Sequence, residues 1–353
     1  FVLSLATIAI LSGTNALATA VNIDNAALKD KGDSSGVYTA DVSTADETDG
    51  VTITSKIEKK DDIKDMTKLV ISTDKKLAIG TSSQSSGVVS IGGTKPTGDA
   101  QADGYGFDIN AKSLTTTGAT SPNDTQLNVN ADSSISTTEG AKLGENSSIS
   151  IANGKTLTIN GNLTTSDTSS KISINGGSLN LSGDLTATNG TLSLGENGKL
   201  DITGKLTGTA GEIKLGGGTM SVNGALNQTN TTINFDGSSG GGTLNVNGGG
   251  TLDGTKLTLT NGGSLNFNAA SGASADKPTT STISGKVEST ADNALNITLG
   301  RNTKVSFTDT TDGLILKNAS DTALDKITLG GGSLNVAKIT ADATNFDTTS
   351  GGV

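Results

Sequence analysis

The residues of this sequence that could carry out chemistry are acidic. Two short stretches, ADETDG from Ala45 to Gly50 and DDIKD from Asp61 to Asp65, bring several carboxylates close together along the chain. Carboxylate oxygens are ligands that Ca²⁺ prefers in proteins. Neither stretch has the residue spacing of an EF-hand loop, and the glycine-rich nonapeptide calcium repeat does not occur. The sequence therefore gives little support to a calcium site, and we predict no bound metal and no cofactor.

Carboxylates also cleave glycosidic bonds, a reaction in which two Asp or Glu residues divide the acid and the base or nucleophile roles. The acids Asp184, Glu196 and Asp201 fall at predicted turns or on the outward side of predicted strands. Aromatic platforms for sugar rings are scarce, since only 2% of the residues are aromatic. We therefore expect these acids to be solvated surface groups and the protein not to be an enzyme, with a glycan-cleaving β-helix as the third-ranked alternative.

The composition excludes several other functional classes. The chain has no histidine and no cysteine, which excludes catalysis by these side chains and zinc sites built from them. Its net charge of −10 at pH 7 argues against binding to nucleic acid, which requires clustered Lys and Arg. The glycine cluster from Gly216 to Gly218 is not followed by the Lys-Ser/Thr pair of a phosphate-binding loop, so we interpret it as a turn.

An internal repeat organises most of the sequence. Each unit reads apolar-x-apolar, a Gly/Asn turn, apolar-x-apolar, and then x-Gly-x-apolar. Successive units begin at Ile172, Leu192, Ile213 and Ile233, so that the spacing is 20 or 21 residues. About nine units can be traced, some with longer insertions, and the segment from Ala269 to Thr282 is predicted to be a loop that leaves the stack.

The repeat predicts an all-β fold, a parallel β-helix (β-solenoid) with about three short strands in each coil of 20–22 residues. Apolar-x-apolar has the period of a strand with one buried face, and Gly and Asn tolerate the backbone angles of sharp corners. The order of the three strand types is the same in every unit, which favours stacked coils over hairpins. Asn and Thr at equivalent corners are expected to form side-chain ladders along the stack.

The predicted core of one representative coil consists of five aliphatic side chains. They are Leu192, Leu194, Leu200, Ile202 and Leu206. One such coil buries too little apolar surface to fold alone, so we expect stability to come from stacking on its neighbours.

The remaining sequence is less regular. Residues 21–122 are interpreted as an N-terminal cap or a leading β-rich region, and residues 123–353 as the solenoid repeats. Within the leading region, the charged stretch from Glu58 to Lys68 is expected to form a short helix.

Residues 1–20 resemble a secretory signal peptide. An apolar run from Phe1 to Leu11 is followed by small and polar residues that end in the overlapping small-x-small sites Ala16-Leu17-Ala18 and Ala18-Thr19-Ala20. The sequence is compatible both with cleavage of this segment and with its retention as a hydrophobic anchor. Either way, the segment predicts a secreted or cell-surface location.

The repeat units resemble those of bacterial surface proteins of the autotransporter-passenger type. The resemblance is carried by TLTINGNLTTS (Thr156–Ser166), SLNLSGDLTAT (Ser178–Thr188) and GGGTLNVNGGGTLDG (Gly240–Gly254), and it extends over residues 126–353. The resemblance implies a secreted β-helical passenger with an outer-membrane anchor, and it leaves association with the outer membrane open. Similar repeats also occur in surface-layer and extracellular filament subunits.

These features predict a secreted structural protein, a self-assembling filament or surface-layer subunit built as a β-solenoid. An adhesin or passenger stalk, with a host or neighbouring cell surface as its partner, is the alternative. The last unit, from Ile327 to Ile339, shows no evident polar cap, and exposed strand edges favour further pairing. We therefore expect copies of the chain to associate through Leu334 and Val336, and through Phe1 and Leu11 if that segment is retained.

Overall fold

The computed structural model describes most of the chain from residue 20 onward. The described ranges are 20–43, 45, 50–82, 88–96, 104–119, 124–236, 241–259, 262–289, 294–316 and 325–341. They form an all-β solenoid of about 11 turns with almost no helix, which confirms the fold class predicted from the repeat. The signal-peptide-like segment, with Phe1 and Leu11, lies outside the described residues, apart from Ala20.

Three parallel sheets run the length of the solenoid, and we call them A, B and C. Strands are numbered in chain order, and each is hydrogen-bonded to the equivalent strands of the coils before and after it. From β4 onward the chain visits the sheets in the fixed order B, A, C, so that each round trip is one coil. At about 4.8 Å per coil, eleven coils give a stack about 50 Å long.

The described strands of sheet A are β1 Val21–Asn22, β3 Val51–Ile53, β5 Lys76–Ile79, β8 Ser113–Thr116, β11 Ala141–Leu143, β14 Leu163–Thr165, β17 Leu185–Thr188, β20 Leu206–Thr209, β23 Leu226–Thr229, β26 Gly250–Asp253, β29 Thr279–Ile283, β32 Thr303–Phe307 and β35 Ser333–Val336.

The described strands of sheet B are β2 Val37–Thr39, β4 Lys68–Ser72, β7 Gly106–Ala111, β10 Ser133–Thr137, β13 Thr156–Asn160, β16 Ser178–Leu181, β19 Lys199–Ile202, β22 Thr219–Val222, β25 Thr243–Val246, β28 Gly263–Phe267, β31 Leu295–Leu299 and β34 Lys326–Leu329.

The described strands of sheet C are β6 Val89–Ile91, β9 Thr125–Val129, β12 Ser147–Ile151, β15 Lys171–Ile174, β18 Thr191–Leu194, β21 Glu212–Leu215, β24 Thr232–Asn234, β27 Lys256–Leu259, β30 Val287–Ser289, β33 Leu314–Leu316 and β36 Ile339–Ala341.

The apolar residues of the repeat fill the space enclosed by the three sheets. Alternate residues of each strand point inward, and their neighbours face solvent. The five residues chosen as a representative core are all buried, with side chains no more than 3% exposed: Leu192, Leu194, Leu200, Ile202 and Leu206. The aromatic rings of Phe235, Phe267 and Phe307 are buried in the same core.

The three sheets extend further toward the N-terminus than the sequence indicated. Complete coils begin at β4, so the division between residues 122 and 123 does not coincide with any break in the sheets. Long connections interrupt the repeat in this part of the chain, for example between β6 and β7. These connections hide the 20-residue period in the sequence.

The segment before β4 also differs from the sequence interpretation. The expected helix over Glu58–Lys68 is reduced to a single 3₁₀ turn, Asp61–Ile63. The one α-helix among the described residues is α1, Asn25–Leu28, where the Asp24 side chain accepts a hydrogen bond from the Ala27 backbone N–H. An Asp at this position satisfies an amide that the short helix cannot pair internally.

Asparagine ladders run along the outward side of sheet B. Asn247 Nδ2 donates to Asn223 Oδ1 at 2.7 Å, and Asn268 Nδ2 donates to Asn247 Oδ1 at 2.8 Å. Asn223 Nδ2 in turn donates to Asp201 Oδ1 at 2.8 Å. The ladders expected from the repeat are therefore present: they link equivalent corners of three successive coils, and Asp201 on β19 extends them to a fourth coil.

A column of glycines forms the corner between sheets B and A. An added Cβ on Gly204 would lie 2.5 Å from the carbonyl oxygen of Gly183, and one on Gly224 would lie 2.5 Å from that of Gly204. The amides of the same residues donate to these carbonyls, Gly204 to Gly183 at 3.1 Å and Gly224 to Gly204 at 2.9 Å. Each coil thus rests directly on the backbone of the preceding coil at this corner.

We expect Gly204→Ala to destabilise the solenoid by about 2 kcal/mol or more, because the new methyl group would separate two backbones that are hydrogen-bonded to each other. The matched control is Gly195→Ala at another corner, where the nearest atom to an added Cβ is 3.6 Å away. Urea denaturation of both variants measures the difference. Equal stabilities of the two variants would contradict the role given to the glycine column.

We expect Leu200→Asp to unfold its coil and the adjacent coils, because the thin core offers no partner for a buried charge. Lys199→Asp changes the exposed neighbour on the same strand to the same residue and should leave the fold intact. Circular dichroism and limited proteolysis distinguish the two results. A folded, protease-resistant Leu200→Asp protein would show that residue 200 does not point into a closed apolar core.

Candidate functional site

The most exposed apolar surface of the described structure lies on its last coil. This end coil (residues 326–341) consists of β34, β35 and β36. Each of these strands is the terminal strand of its sheet and pairs on one side only, with β31, β32 and β33 respectively. The other edge of each strand presents backbone groups that have no partner within the described sheets, which is the arrangement that accepts further strands.

The inward side chains of the end coil are only partly covered. Four of them pack against the core from one side and are half-buried: Ile327, Leu329, Leu334 and Val336. Ile339 is 47% exposed, and it is the one exposed large apolar side chain among the described residues. The predicted assembly residues Leu334 and Val336 therefore lie at this end, beside Val305 and Phe307 of the preceding coil.

At the opposite end of the solenoid, which we call the closed end, described residues between 20 and 67 cover the edges of sheets B and C. Residues 31–33 form an antiparallel bridge with β2 and cover the edge of sheet B. The Ile57 amide donates to the Ser90 carbonyl and so covers the edge of sheet C. Four apolar side chains of this segment are buried completely or nearly so: Leu28, Ile57, Ile63 and Met66. The two ends of the described structure thus differ in kind.

A buried tyrosine fixes the closed end. Tyr38 Oη donates a hydrogen bond to Asp65 Oδ1 at 2.6 Å and lies 3.2 Å from the carbonyl oxygen of Asp62. The hydrogen bond to Asp65 raises the pKa of Tyr38 to about 12, and the same bond lowers the pKa of Asp65 below its ordinary value. The Lys29 ammonium also pairs with Asp62 at 3.1 Å.

The acidic residues considered for chemistry have structural partners. Asp184 Oδ1 accepts from the Lys205 amide at 2.8 Å, and Asp201 belongs to the asparagine ladder, while Glu196 is exposed at a turn. Of the DDIKD stretch, Asp62 and Asp65 are used at the closed end. Residues 46–49 of the ADETDG stretch lie outside the described residues. No group of three or more His, Cys, Asp or Glu residues in the described part of the chain could hold a metal ion.

One carboxylate was missed by the sequence analysis. Asp325 is fully buried at the corner that precedes β34, and it is the one buried charged residue among those described. Its Oδ1 accepts hydrogen bonds from the Leu295 amide at 2.8 Å and from Ser289 Oγ at 3.1 Å. Loss of hydration raises the pKa of Asp325, and these two hydrogen bonds only partly oppose that effect.

Comparison with known proteins yields no relative. No protein-family model, no curated protein and no solved structure matches this chain significantly. Within the described residues, no helix is long and apolar enough to cross a membrane.

We expect Tyr38→Phe to lower the stability of the protein near pH 7, because Asp65 loses its hydrogen-bond donor. The lowered pKa of Asp65 means that this contribution is present above the ordinary Asp range and is lost as the pH falls through the pKa of the folded state. The stability difference between wild type and Tyr38→Phe should therefore shrink at acid pH, as measured by urea denaturation at several pH values.

The control for this experiment is Tyr105→Phe. The Tyr105 hydroxyl donates to the Ile57 carbonyl at 3.0 Å, and this acceptor does not titrate. The stability cost of Tyr105→Phe should consequently be the same across the pH range. A pH-independent cost for Tyr38→Phe as well would contradict the pairing with Asp65.

Proposed function

We propose that this protein is a secreted structural protein of the bacterial cell surface, a β-solenoid rod that associates with a second copy of itself. The observation that carries the proposal is the exposed end coil. Three strand edges that have no partner within the described sheets lie together on that one surface, with the half-buried Leu334 and Val336 and the exposed Ile339. Such edges readily pair with further β-strands, and the apolar side chains gain burial from the same contact.

The shape of the end coil favours a second copy of the solenoid as its binding partner. A partner must pair with three strand edges arranged around a narrow core, and another coil of this cross-section does so. The closed end of the molecule covers the edges of sheets B and C, so it offers no equivalent surface. Two copies meeting end coil to end coil would form an isologous contact around a two-fold axis, with antiparallel pairing across the interface.

The filament expected from the sequence is the related outcome in which copies join head to tail. That arrangement needs the closed end to accept the end coil of the next copy. Charge gives it some support, since the end coil carries Lys326 and Lys338, whereas the closed end carries exposed acids such as Asp30 and Asp62. A head-to-tail contact does not close into a dimer or a ring, so it would produce a filament or a surface layer.

A stalk that presents a binding surface is the second candidate function. An open groove of about 1510 Å³ runs along the B–A corner near the closed end, where residues 40–43 and 45 form part of its lining. It is lined by both charged and small polar side chains, including Asp33, Asp41, Lys75 and Lys112. A groove of this size on a rigid support favours the adhesin or autotransporter-passenger alternative, with a polar ligand on another cell surface.

We expect Ile339→Asp to abolish self-association, because two such charges would meet at the two-fold contact without solvent. The residue is already half exposed in the single chain, so its replacement should leave the solenoid folded. Asn335→Asp is the matched control, since it places the same charge on the outward side of the same coil. Sedimentation equilibrium of the three proteins measures association, and circular dichroism checks folding.

The outcomes separate the proposed assemblies. A dimer that is lost in Ile339→Asp and kept in Asn335→Asp supports the two-fold contact. Polymers that lengthen with concentration support head-to-tail filaments. A wild-type protein that stays monomeric at high concentration excludes self-association through this surface and favours the stalk.

A further inference from the structure

Asp325 occupies a corner position that is glycine in five earlier coils. Gly263 pairs with Leu295 of the next coil, and Asn296 pairs with Lys326 of the coil after that. Asp325, the residue before Lys326, therefore lies beside Leu295. The equivalent residues of the preceding coils are Gly177, Gly198, Gly218, Gly242 and Gly263. In these five coils the corner therefore contains no side chain, whereas the next coil places Leu295 there and the corner before β34 carries the carboxyl group of Asp325.

The carboxyl group joins the end coil to the coil below it. Its Oδ1 accepts hydrogen bonds from Leu295, the first residue of β31, and from Ser289, the last residue of β30. Its Oδ2 is buried and has no hydrogen-bond partner among the described residues. Both bonds at Oδ1 persist in either protonation state, but an ionised carboxylate also places in the core a charge that has no cationic partner among the described residues.

Among the described residues, no titratable group on the strands beside Asp325 forms an ion pair with it. On the adjacent strands, Glu288 is paired with Lys286 at 2.7 Å, Lys326 is half-buried, and β31 and β33 carry no titratable residue. Asp292, Lys317 and Asp321 belong to connections outside the described residues. Desolvation is the largest influence on the pKa of Asp325, and the two hydrogen bonds act against it.

We propose that protonation of Asp325 controls how firmly the end coil is attached to the rest of the solenoid. With the carboxyl group neutral, the end coil is held in register by its bonds to Ser289 and Leu295. With the group ionised, the coil separates more readily, because exposure of Asp325 to water relieves the buried charge. The association surface of the end coil is then ordered by acid and weakened at higher pH.

The direction in which pH changes the attachment of the end coil follows from proton linkage. Because the pKa of Asp325 is raised in the folded coil, the folded state binds more protons than the open state between the two pKa values. Attachment is therefore strongest below the ordinary Asp pKa, and it weakens as the pH rises through the interval up to the raised pKa. Other carboxyl groups with lowered pKa values, such as Asp309, act in the opposite direction on the whole protein.

The test compares hydrogen exchange of residues 326–341 in wild type and in Asp325→Asn between about pH 4 and about pH 8. Asn keeps the acceptor at Oδ1 and cannot ionise, so it imitates the neutral carboxyl group. Comparing the two proteins at each pH cancels the intrinsic pH dependence of exchange and the effect of other carboxyl groups. Asp253→Asn is the matched control, because Asp253 is exposed and accepts from Ser284 Oγ at 2.6 Å.

Near pH 4 we expect equal protection of the end coil in wild type and Asp325→Asn. Toward pH 8 the variant should become better protected, by about tenfold for each unit by which the pKa is raised. Internal coils should show no such change, and neither should Asp253→Asn. A protection ratio that is the same at both ends of the pH range, or a wild-type coil that becomes better protected at high pH, would overturn the proposal.

The effect of Asp325 on the association surface rests on the proposed self-association. Its effect on the attachment of the end coil does not. Sedimentation of the same samples separates the two ideas. Protection that responds to Asp325 while the protein stays monomeric rejects the self-association and keeps the proton-dependent attachment. Self-association with a pH-independent end coil rejects the attachment proposal alone.

Discussion

The close contact between successive backbones is the constraint on which the whole molecule depends. Parallel strands of adjacent coils are separated by about 4.8 Å, and all three sheets must keep that distance at once. At the B–A corner the carbonyl oxygen of Gly183 occupies the place where a side chain of Gly204 would be. The glycines of this corner are a consequence of the spacing, since a side chain at Gly204 or Gly224 would force the coils apart.

The same constraint explains why the two ends matter more than the sides. Inside the stack, each coil satisfies the backbone groups of its neighbours, and the outward faces carry polar residues such as the asparagines of sheet B. Only a terminal coil has unsatisfied edges. At one end, described residues between 20 and 67 cover two of the three edges, and they add a short helix and buried apolar side chains. At the end coil, the described residues contain no comparable cover.

The repeat made the coil architecture predictable, because apolar-x-apolar pairs such as Leu192 and Leu194 must point the same way in a strand. The leading coils escaped detection since long connections between β5, β6 and β7 obscure the period. Asp325 could not be recognised either. Its burial depends on the register between β31 and β34, and a single Asp next to a Lys looks like an ordinary surface residue in the sequence. For the same reason, the hydrogen bond between Tyr38 and Asp65 could not be recognised from the sequence.

The orientation of the backbone hydrogen bonds has a mechanical consequence. In this solenoid they run along the long axis, from one coil to the next, in all three sheets. A force that stretches the rod uniformly along its axis is shared among every bond between two coils, which must break together. A force applied sideways to the free end of the chain instead peels off one strand at a time. The rod should thus resist axial tension far better than peeling, and unravelling under load would proceed coil by coil from whichever end is less firmly closed.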